Sequence, residues 1–186
     1  LSAISILSQS SSPDHQTGLD QARFGNIGDK ARAAMESMSD IVWAVNPQND
    51  SMQQIIQRMI SFTSETLESA GIEPVFLISE GVEQLSLPLE KRKDFYLIFK
   101  EAVTNCAKYS HAKQVEVAMW TTNNTLILNV KDDGKGFDPE GAESRGQTLG
   151  GDGLRNMYSR AAALGGSLEV KSGLGAGTTV RLTVVV

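Results

Sequence analysis

The sequence contains a single cysteine, Cys106, among its 186 residues, and this excludes an internal disulfide. It has no apolar run near the roughly 20 residues that a transmembrane helix needs, and no signal-peptide pattern. The net charge of −5 provides no basic patch, which argues against nucleic acid and anionic lipid as partners. The chain contains 40% hydrophobic and 21% charged residues, a composition that is ordinary for a globular protein.

The chain begins at Leu1 without a methionine, and we expect it to be part of a longer protein. Apolar residues recur at three- and four-residue spacing from Leu19 to Val45, which predicts a long helix with an apolar seam. Such a seam needs a partner helix. An intramolecular core helix is the alternative, but we favour a homodimeric bundle.

A proline ends the predicted seam helix. Pro47 disfavours the helical conformation for Asn46, so we place the domain boundary between these two residues. Residues 1–46 would then contain the dimerisation helices, and residues 47–186 would form the better-cored domain.

The second domain mixes helix and strand patterns. Asp50 and Ser51 followed by glutamines predict a capping box, and Gly71 predicts the end of that helix. A predicted strand at residues 74–79 is followed by a helix at 88–109 and by a hairpin of two strands at 114–120 and 125–131. A loop at 139–150 and a helix at 151–164 come next. Two strands at 167–172 and 178–186 form the last hairpin. This order predicts a mixed sheet with helices on one face, an α/β sandwich.

The predicted helix after Pro88 carries a polar stripe beside its apolar face. At about 100° per residue, Glu101, Asn105 and Lys108 fall within roughly 60° of one another. A helix with such a stripe can line a pocket from inside a domain. The alternative is an ordinary solvated face.

A carboxylate and two glycines follow the strand that ends near Lys131. Asp132 can accept hydrogen bonds, and Gly134 and Gly136 let the backbone lie against a flat ligand. Alone, the aspartate could be an ordinary turn former.

A second glycine cluster opens the next helix. Gly151, Gly153 and Leu154 place free backbone N–H groups and the positive end of a helix dipole where an anion could bind. Between the clusters, residues 139–150 are rich in glycine and polar residues, which is typical of a mobile flap. Together these features predict a nucleotide pocket.

These clusters resemble the boxes of one superfamily. Residues 101–108 resemble the N box of the GHKL ATPases, and residues 132–137 resemble their G1 box. Residues 151–154 resemble the G2 box, and residues 175–178 resemble the last glycine-threonine motif. Within the superfamily, residues 41–47 and 154–160 are similar to sensor histidine kinases of the group that partners LuxR-type response regulators. The resemblance covers nearly the whole chain and implies the α/β sandwich of the Bergerat type, preceded by part of a helical bundle.

The resemblance implies a role for each residue of the N box and the G1 box. Asp132 would accept from the adenine amine, and Gly136 would leave room for the ring; Gly134 would belong to the same binding motif. Asn105 would coordinate Mg²⁺ that bridges the phosphates of ATP. Glu101 would orient or polarise the reacting region.

The resemblance also implies contacts to the rest of the nucleotide. Lys108 would neutralise phosphate charge. Gly151, Gly153 and Leu154 would supply backbone donors, and Thr178 would bond the adenine side directly or through a water.

One departure from the family concerns the phosphorylated histidine, which lies on the first dimerisation helix. Neither His15 nor His111 occupies that position in this sequence. We therefore expect this chain to bind ATP without phosphorylating itself at the usual site.

The resemblance implies the catalytic and ATP-binding region of a two-component sensor histidine kinase. It would move the γ-phosphoryl of Mg-ATP to a histidine, for relay to an aspartate of a LuxR-type response regulator. We expect a cytoplasmic domain, with membrane attachment only through segments outside this sequence. The alternatives are an anti-sigma-type serine kinase of the same superfamily and a non-catalytic nucleotide-binding dimerisation module.

Overall fold

The computed structural model describes residues 51–138 and 151–186, together with isolated helical positions between 35 and 43. The chain divides into two compact units, residues 1–44 and 45–186, and the second carries the fold described below. Most of the predicted seam, the predicted boundary after Asn46 and the predicted flap lie outside the described residues.

The first helix of the second unit, α1, spans Met52–Glu68. Its N-cap is Ser51, whose hydroxyl accepts a hydrogen bond from the Gln54 N–H at 3.3 Å and so satisfies one of the free donors of the first turn. After the helix, Gly71 adopts a left-handed φ of 71°, as its predicted place at the helix end requires.

The remaining elements form a sheet and two further helices. In chain order they are β1 Glu73–Ile78, a short 3₁₀ turn, α2 Leu89–Asn105, β2 Gln114–Thr122, β3 Thr125–Asp132, α3 Gly151–Ala163, β4 Ser167–Ser172 and β5 Thr178–Val185. The sheet order is β1-β2-β3-β5-β4. β1 runs parallel to β2, and all other neighbours are antiparallel. The predicted mixed sheet is confirmed.

One face of the sheet is covered by helices. Along β2, β3 and β5, alternate side chains such as Val117, Leu128 and Leu182 are buried, and α1, α2 and α3 contact β1, β3 and β4. On the opposite face Leu77 is 52% exposed. This two-sided pattern is what strand alternation predicts for a sheet packed on one face, so the α/β sandwich is confirmed.

The helix predicted to run from Pro88 to about residue 109 changes its winding near its end. α2 ends at Asn105, and Cys106–Ser110 continue as a π-helical turn. The 100° spacing used to predict the polar stripe therefore does not apply to Lys108, which lies in the wider turn.

In the described part of the chain, no helix combines the length and the apolar character that crossing a membrane demands.

Candidate functional site

Asp132 is the last residue of β3, and its side chain is only 2% exposed. Its Oδ1 accepts a hydrogen bond from the Gly134 N–H at 2.9 Å, and its Oδ2 lies 3.7 Å from the Cys106 thiol. A carboxylate has roughly four lone-pair positions, so these contacts leave acceptor capacity for another donor.

The neighbouring thiol acts as a donor toward this carboxylate. Burial, followed by the charge of Asp132 and the hydrogen bond to it, raises the pKa of Cys106 far above its ordinary value. The thiol therefore keeps its proton and points it at Oδ2. The Gly134 N–H and the Cys106 thiol thus both present a hydrogen to the Asp132 carboxylate.

Asp133 differs from Asp132 although the two are adjacent. It is exposed, and its Oδ1 accepts from the backbone N–H groups of Lys113 at 2.8 Å and Gln114 at 3.0 Å. The bond from Gln114, followed by the one from Lys113, lowers the pKa of the Asp133 carboxyl. Asp133 therefore anchors the start of β2, and the buried aspartate is the site candidate.

The glycines after Asp132 are required by contacts within the protein. A Cβ atom at Gly134 would overlap the carbonyl oxygen of Ser110, and one at Gly136 would overlap that of Gly173. Gly136 also has a left-handed φ of 58°, which disfavours a side chain there. The sequence predicted these glycines from the approach of a ligand, whereas the space beside each α-carbon is filled by protein backbone.

Backbone hydrogen bonds hold the loop between these glycines on both sides. The Lys135 N–H donates to Ser110 O at 2.8 Å, and Lys135 O accepts from the Gly175 N–H at 2.7 Å. Ser110 itself is fixed, because its hydroxyl donates to Cys106 O at 2.6 Å and accepts from the Ala112 N–H at 3.0 Å. Ser110 could not be found from the sequence, since a serine at a helix end gives no distinctive signal.

The N box also meets the second glycine cluster. Gly151 is the first residue of α3, and the Glu101 carboxylate occupies the space where Gly153 would carry a side chain. Glu101, Gly153 and Leu154 are half-buried. The helix that carries the polar stripe is therefore in contact with the start of α3 at Glu101.

The other stripe residues differ in exposure. Asn105, at the end of α2, is half-buried, while Lys108 is exposed. The structure gives Lys108 no described contact with the buried members of the site.

Thr178 opens β5 next to the G1 loop. The Ser172 hydroxyl lies 3.0 Å from the Thr178 hydroxyl, accepts from the Phe137 N–H at 2.9 Å and donates to Gly177 O at 3.0 Å. A Cβ at Gly177 would overlap the carbonyl oxygen of Asp132. The last motif therefore packs directly against Asp132, and Ser172, absent from our sequence-based candidates, joins the two loops.

The described residues contain no group of three or more histidine, cysteine, aspartate or glutamate side chains that could hold a metal ion. Mg²⁺ is commonly held by one or two protein oxygens together with phosphates and waters. Asn105 carries one amide oxygen, a ligand atom of the kind that such a site uses.

Comparison with known proteins matches residues 90–186 to the family described as "Histidine kinase-, DNA gyrase B-, and HSP90-like ATPase". The chain is 33% identical over 130 residues to the sensor histidine kinase YdfH of Bacillus subtilis, covering 69% of this chain and 30% of that protein. It is 29% identical over 151 residues to the sensor histidine kinase LnrJ of the same organism, covering 81% and 35%.

Solved structures with a similar fold are also known. The histidine kinase AdeS of Acinetobacter baumannii superposes with a TM-score of 0.65 at 15% identity, covering 97% of this chain and 89% of that one. At this identity the similarity concerns the fold alone. The chain spans about a third of the length of the curated relatives it matches.

Proposed function

Because this chain belongs to the family of histidine kinase-, DNA gyrase B- and HSP90-like ATPases, we propose that it binds Mg-ATP as the catalytic region of a sensor histidine kinase. The transferred group would be the γ-phosphoryl, passed to a histidine and then to a response-regulator aspartate. The proposal rests on the residues of unit 45–186 and on the likeness to sensor histidine kinases.

The observation that carries the proposal is that separate sequence motifs contact one another at two places, one beside the buried Asp132 and one at the start of α3. Cys106 of the N box and Gly177 of the last motif both contact Asp132, and Glu101 of the N box contacts Gly153 of α3. Segments up to 52 positions apart in the sequence thus meet. A buried, charged acceptor at their centre favours a ligand that donates hydrogen bonds.

In the proposed site Asp132 accepts from the adenine amine, and its buried surroundings strengthen that bond because water is excluded. The glycines Gly134 and Gly136 bring the loop close enough to Asp132 for the base to reach it. Thr178 bonds the same side of the base. The start of α3, at Gly151, Gly153 and Leu154, supplies backbone donors for the phosphates.

The reaction needs charge neutralisation and positioning more than covalent chemistry by the protein. Bound ATP supplies the phosphoryl group. Asn105 would hold Mg²⁺ through its amide oxygen, Glu101 would orient the reacting groups, and the exposed Lys108 would neutralise charge on the phosphates.

The partners are inferred in the same way. We propose a LuxR-type response regulator as the final acceptor and a homodimer formed by the N-terminal helices. Two apolar side chains support the dimer: Met38 is 58% exposed and Val42, one helical turn later, is 67% exposed. A partner helix would cover both.

The test is a calorimetric titration of the protein with ATP, with and without Mg²⁺. Asp132→Asn removes the charged acceptor, and we expect affinity to fall by about 10- to 100-fold, as for a hydrogen bond to a charged group. Asp133→Asn is the matched control, because that side chain anchors β2 and should leave affinity within about twofold.

Two results would count against the proposal: parent protein that does not bind ATP, or equal losses in the two aspartate variants. A transfer assay then separates the alternatives. Phosphate moving from labelled ATP to a histidine-containing acceptor helix supports the kinase, transfer only to a serine of a protein substrate supports the anti-sigma-type reaction, and tight binding without transfer supports the regulatory module.

A further inference from the structure

Asp132, Thr178 and Ser172 lie in one row across the end of the sheet. β3 and β5 pair with Lys131 opposite Thr179, so the next position places Asp132 opposite Thr178. β5 and β4 pair with Thr178 opposite Ser172. Residues directly opposite in antiparallel strands project to the same face and have Cβ atoms about 5 Å apart. The three side chains are therefore neighbours on the helix-covered face.

The Ser172 hydroxyl is saturated with hydrogen bonds. It has one hydrogen and two lone pairs. Its contacts are the Phe137 N–H, which can only donate, the carbonyl of Gly177, which can only accept, and the hydroxyl of Thr178. All are satisfied together only when Ser172 gives its hydrogen to Gly177 and receives hydrogens from Phe137 and Thr178.

This assignment fixes the polarity of Thr178. Its single hydrogen is committed to Ser172, so its lone pairs are what it can offer to a ligand. Asp132 beside it is also an acceptor, with Gly134 and Cys106 as its described donors. Asp132 and Thr178 therefore present only hydrogen-bond acceptors to a ligand.

We propose that Ser172 is a specificity-determining positioning residue, which holds the Thr178 hydroxyl as an acceptor beside Asp132 and so selects a purine with an amino group at position 6. This inference rests on the proposed nucleotide site and deepens it. Adenine presents a donor at that position, whereas guanine and hypoxanthine present a carbonyl acceptor. A carbonyl at position 6 would face only the acceptors of Asp132 and Thr178, so it would find no hydrogen-bond donor. A binding site discriminates against a ligand that leaves polar groups unpaired.

The experiment compares ATP with inosine triphosphate, which differs at this edge of the base. Dissociation constants for both nucleotides are measured by calorimetry for the parent protein and for Ser172→Ala. Without Ser172 the Thr178 hydroxyl can turn and donate to a carbonyl. We expect the preference for ATP over inosine triphosphate to fall by about 3- to 10-fold, the usual range for one neutral hydrogen bond.

Matched variants separate positioning from a general structural role. Ser167→Ala, at the exposed start of the same strand, should keep the parent's preference for ATP. Ser172→Thr should also keep it, because the hydroxyl is retained. In a Thr178→Val background, Ser172→Ala should produce no further change in the preference.

If Ser172→Ala does not fold, Ser172→Cys replaces it, since a thiol has similar size but bonds weakly. Equal weakening of the binding of both nucleotides, or an unchanged preference, would overturn the inference while leaving the proposed function standing. Failure of the parent protein to bind ATP would instead overturn the proposed function.

Discussion

The Glu101 carboxylate occupies the space that a side chain at Gly153 would fill, so the N box and the start of α3 are in direct contact. Gly153→Ala must therefore displace Glu101. We expect phosphoryl transfer to an acceptor helix supplied in trans to slow by about 10- to 100-fold, because a displacement near 1 Å is costly for a positioned group. ATP affinity, measured in parallel, should stay within about threefold.

The thermal stability of Gly153→Ala should not fall together with its transfer rate. Alanine is a better helix former than glycine by roughly 0.5–1 kcal/mol, so the thermal midpoint of Gly153→Ala should not fall. Gly173→Ala is the control, since its Cβ would meet only the Ala176 Cβ at 3.6 Å, an ordinary contact. Transfer by Gly153→Ala within twofold of the parent rate would show that Glu101 is not needed in its present position.

Asn105 offers the test of the metal site. Replacing it with alanine removes the amide oxygen proposed for Mg²⁺ while leaving Asp132 in place. We expect the transfer rate to drop by about 100-fold or more, and nucleotide affinity measured without Mg²⁺ to change by less than about threefold. The opposite pattern, lost metal-free binding with normal turnover, would place Asn105 at the base or the ribose.

The strands were predictable because alternation along β2 and β3 is strong and Asn123-Asn124 supplies the turn, where both residues adopt left-handed φ values. The candidate residues were found from the polar helix stripe, the two glycine clusters and the resemblance to the GHKL ATPases. What the sequence could not show was the π-helical turn after Asn105, because i→i+5 winding has no composition signal. Nor could it show that Asp132 is buried and Asp133 exposed, because burial depends on the packing of the neighbouring strands; it was the resemblance that pointed to Asp132.

The stabilising contribution of Asp133 should depend on pH. Its pKa is lowered in the folded protein by the backbone N–H groups of Gln114 and Lys113. A lowered folded-state pKa gives stability that is complete above the unfolded value, about 4, and is lost as pH falls through the folded value. Urea unfolding of the parent and of Asp133→Asn at pH 7 and at steps down to pH 3 measures this.

We expect the parent to be more stable than Asp133→Asn at pH 7 and the difference to shrink below about pH 4. Because Asp133 is exposed, added salt should reduce the difference further. A difference that stays constant or grows as pH falls would contradict the assigned hydrogen bonds.

Cys106 provides a probe of whether the site is closed around Asp132. The thiol is 6% exposed, and burial together with the neighbouring carboxylate raises its pKa, so the reactive thiolate is suppressed. We expect labelling by a disulfide reagent at pH 8 to be at least about 100-fold slower in the native protein than in urea, where the single cysteine should react completely. Asp132→Asn removes the negative charge, so it should speed native labelling measurably, provided that its urea midpoint shows the variant to be folded. Native labelling as fast as that of the unfolded chain would mean that the Cys106 thiol is not packed against Asp132, and the donor assigned to that carboxylate would be wrong.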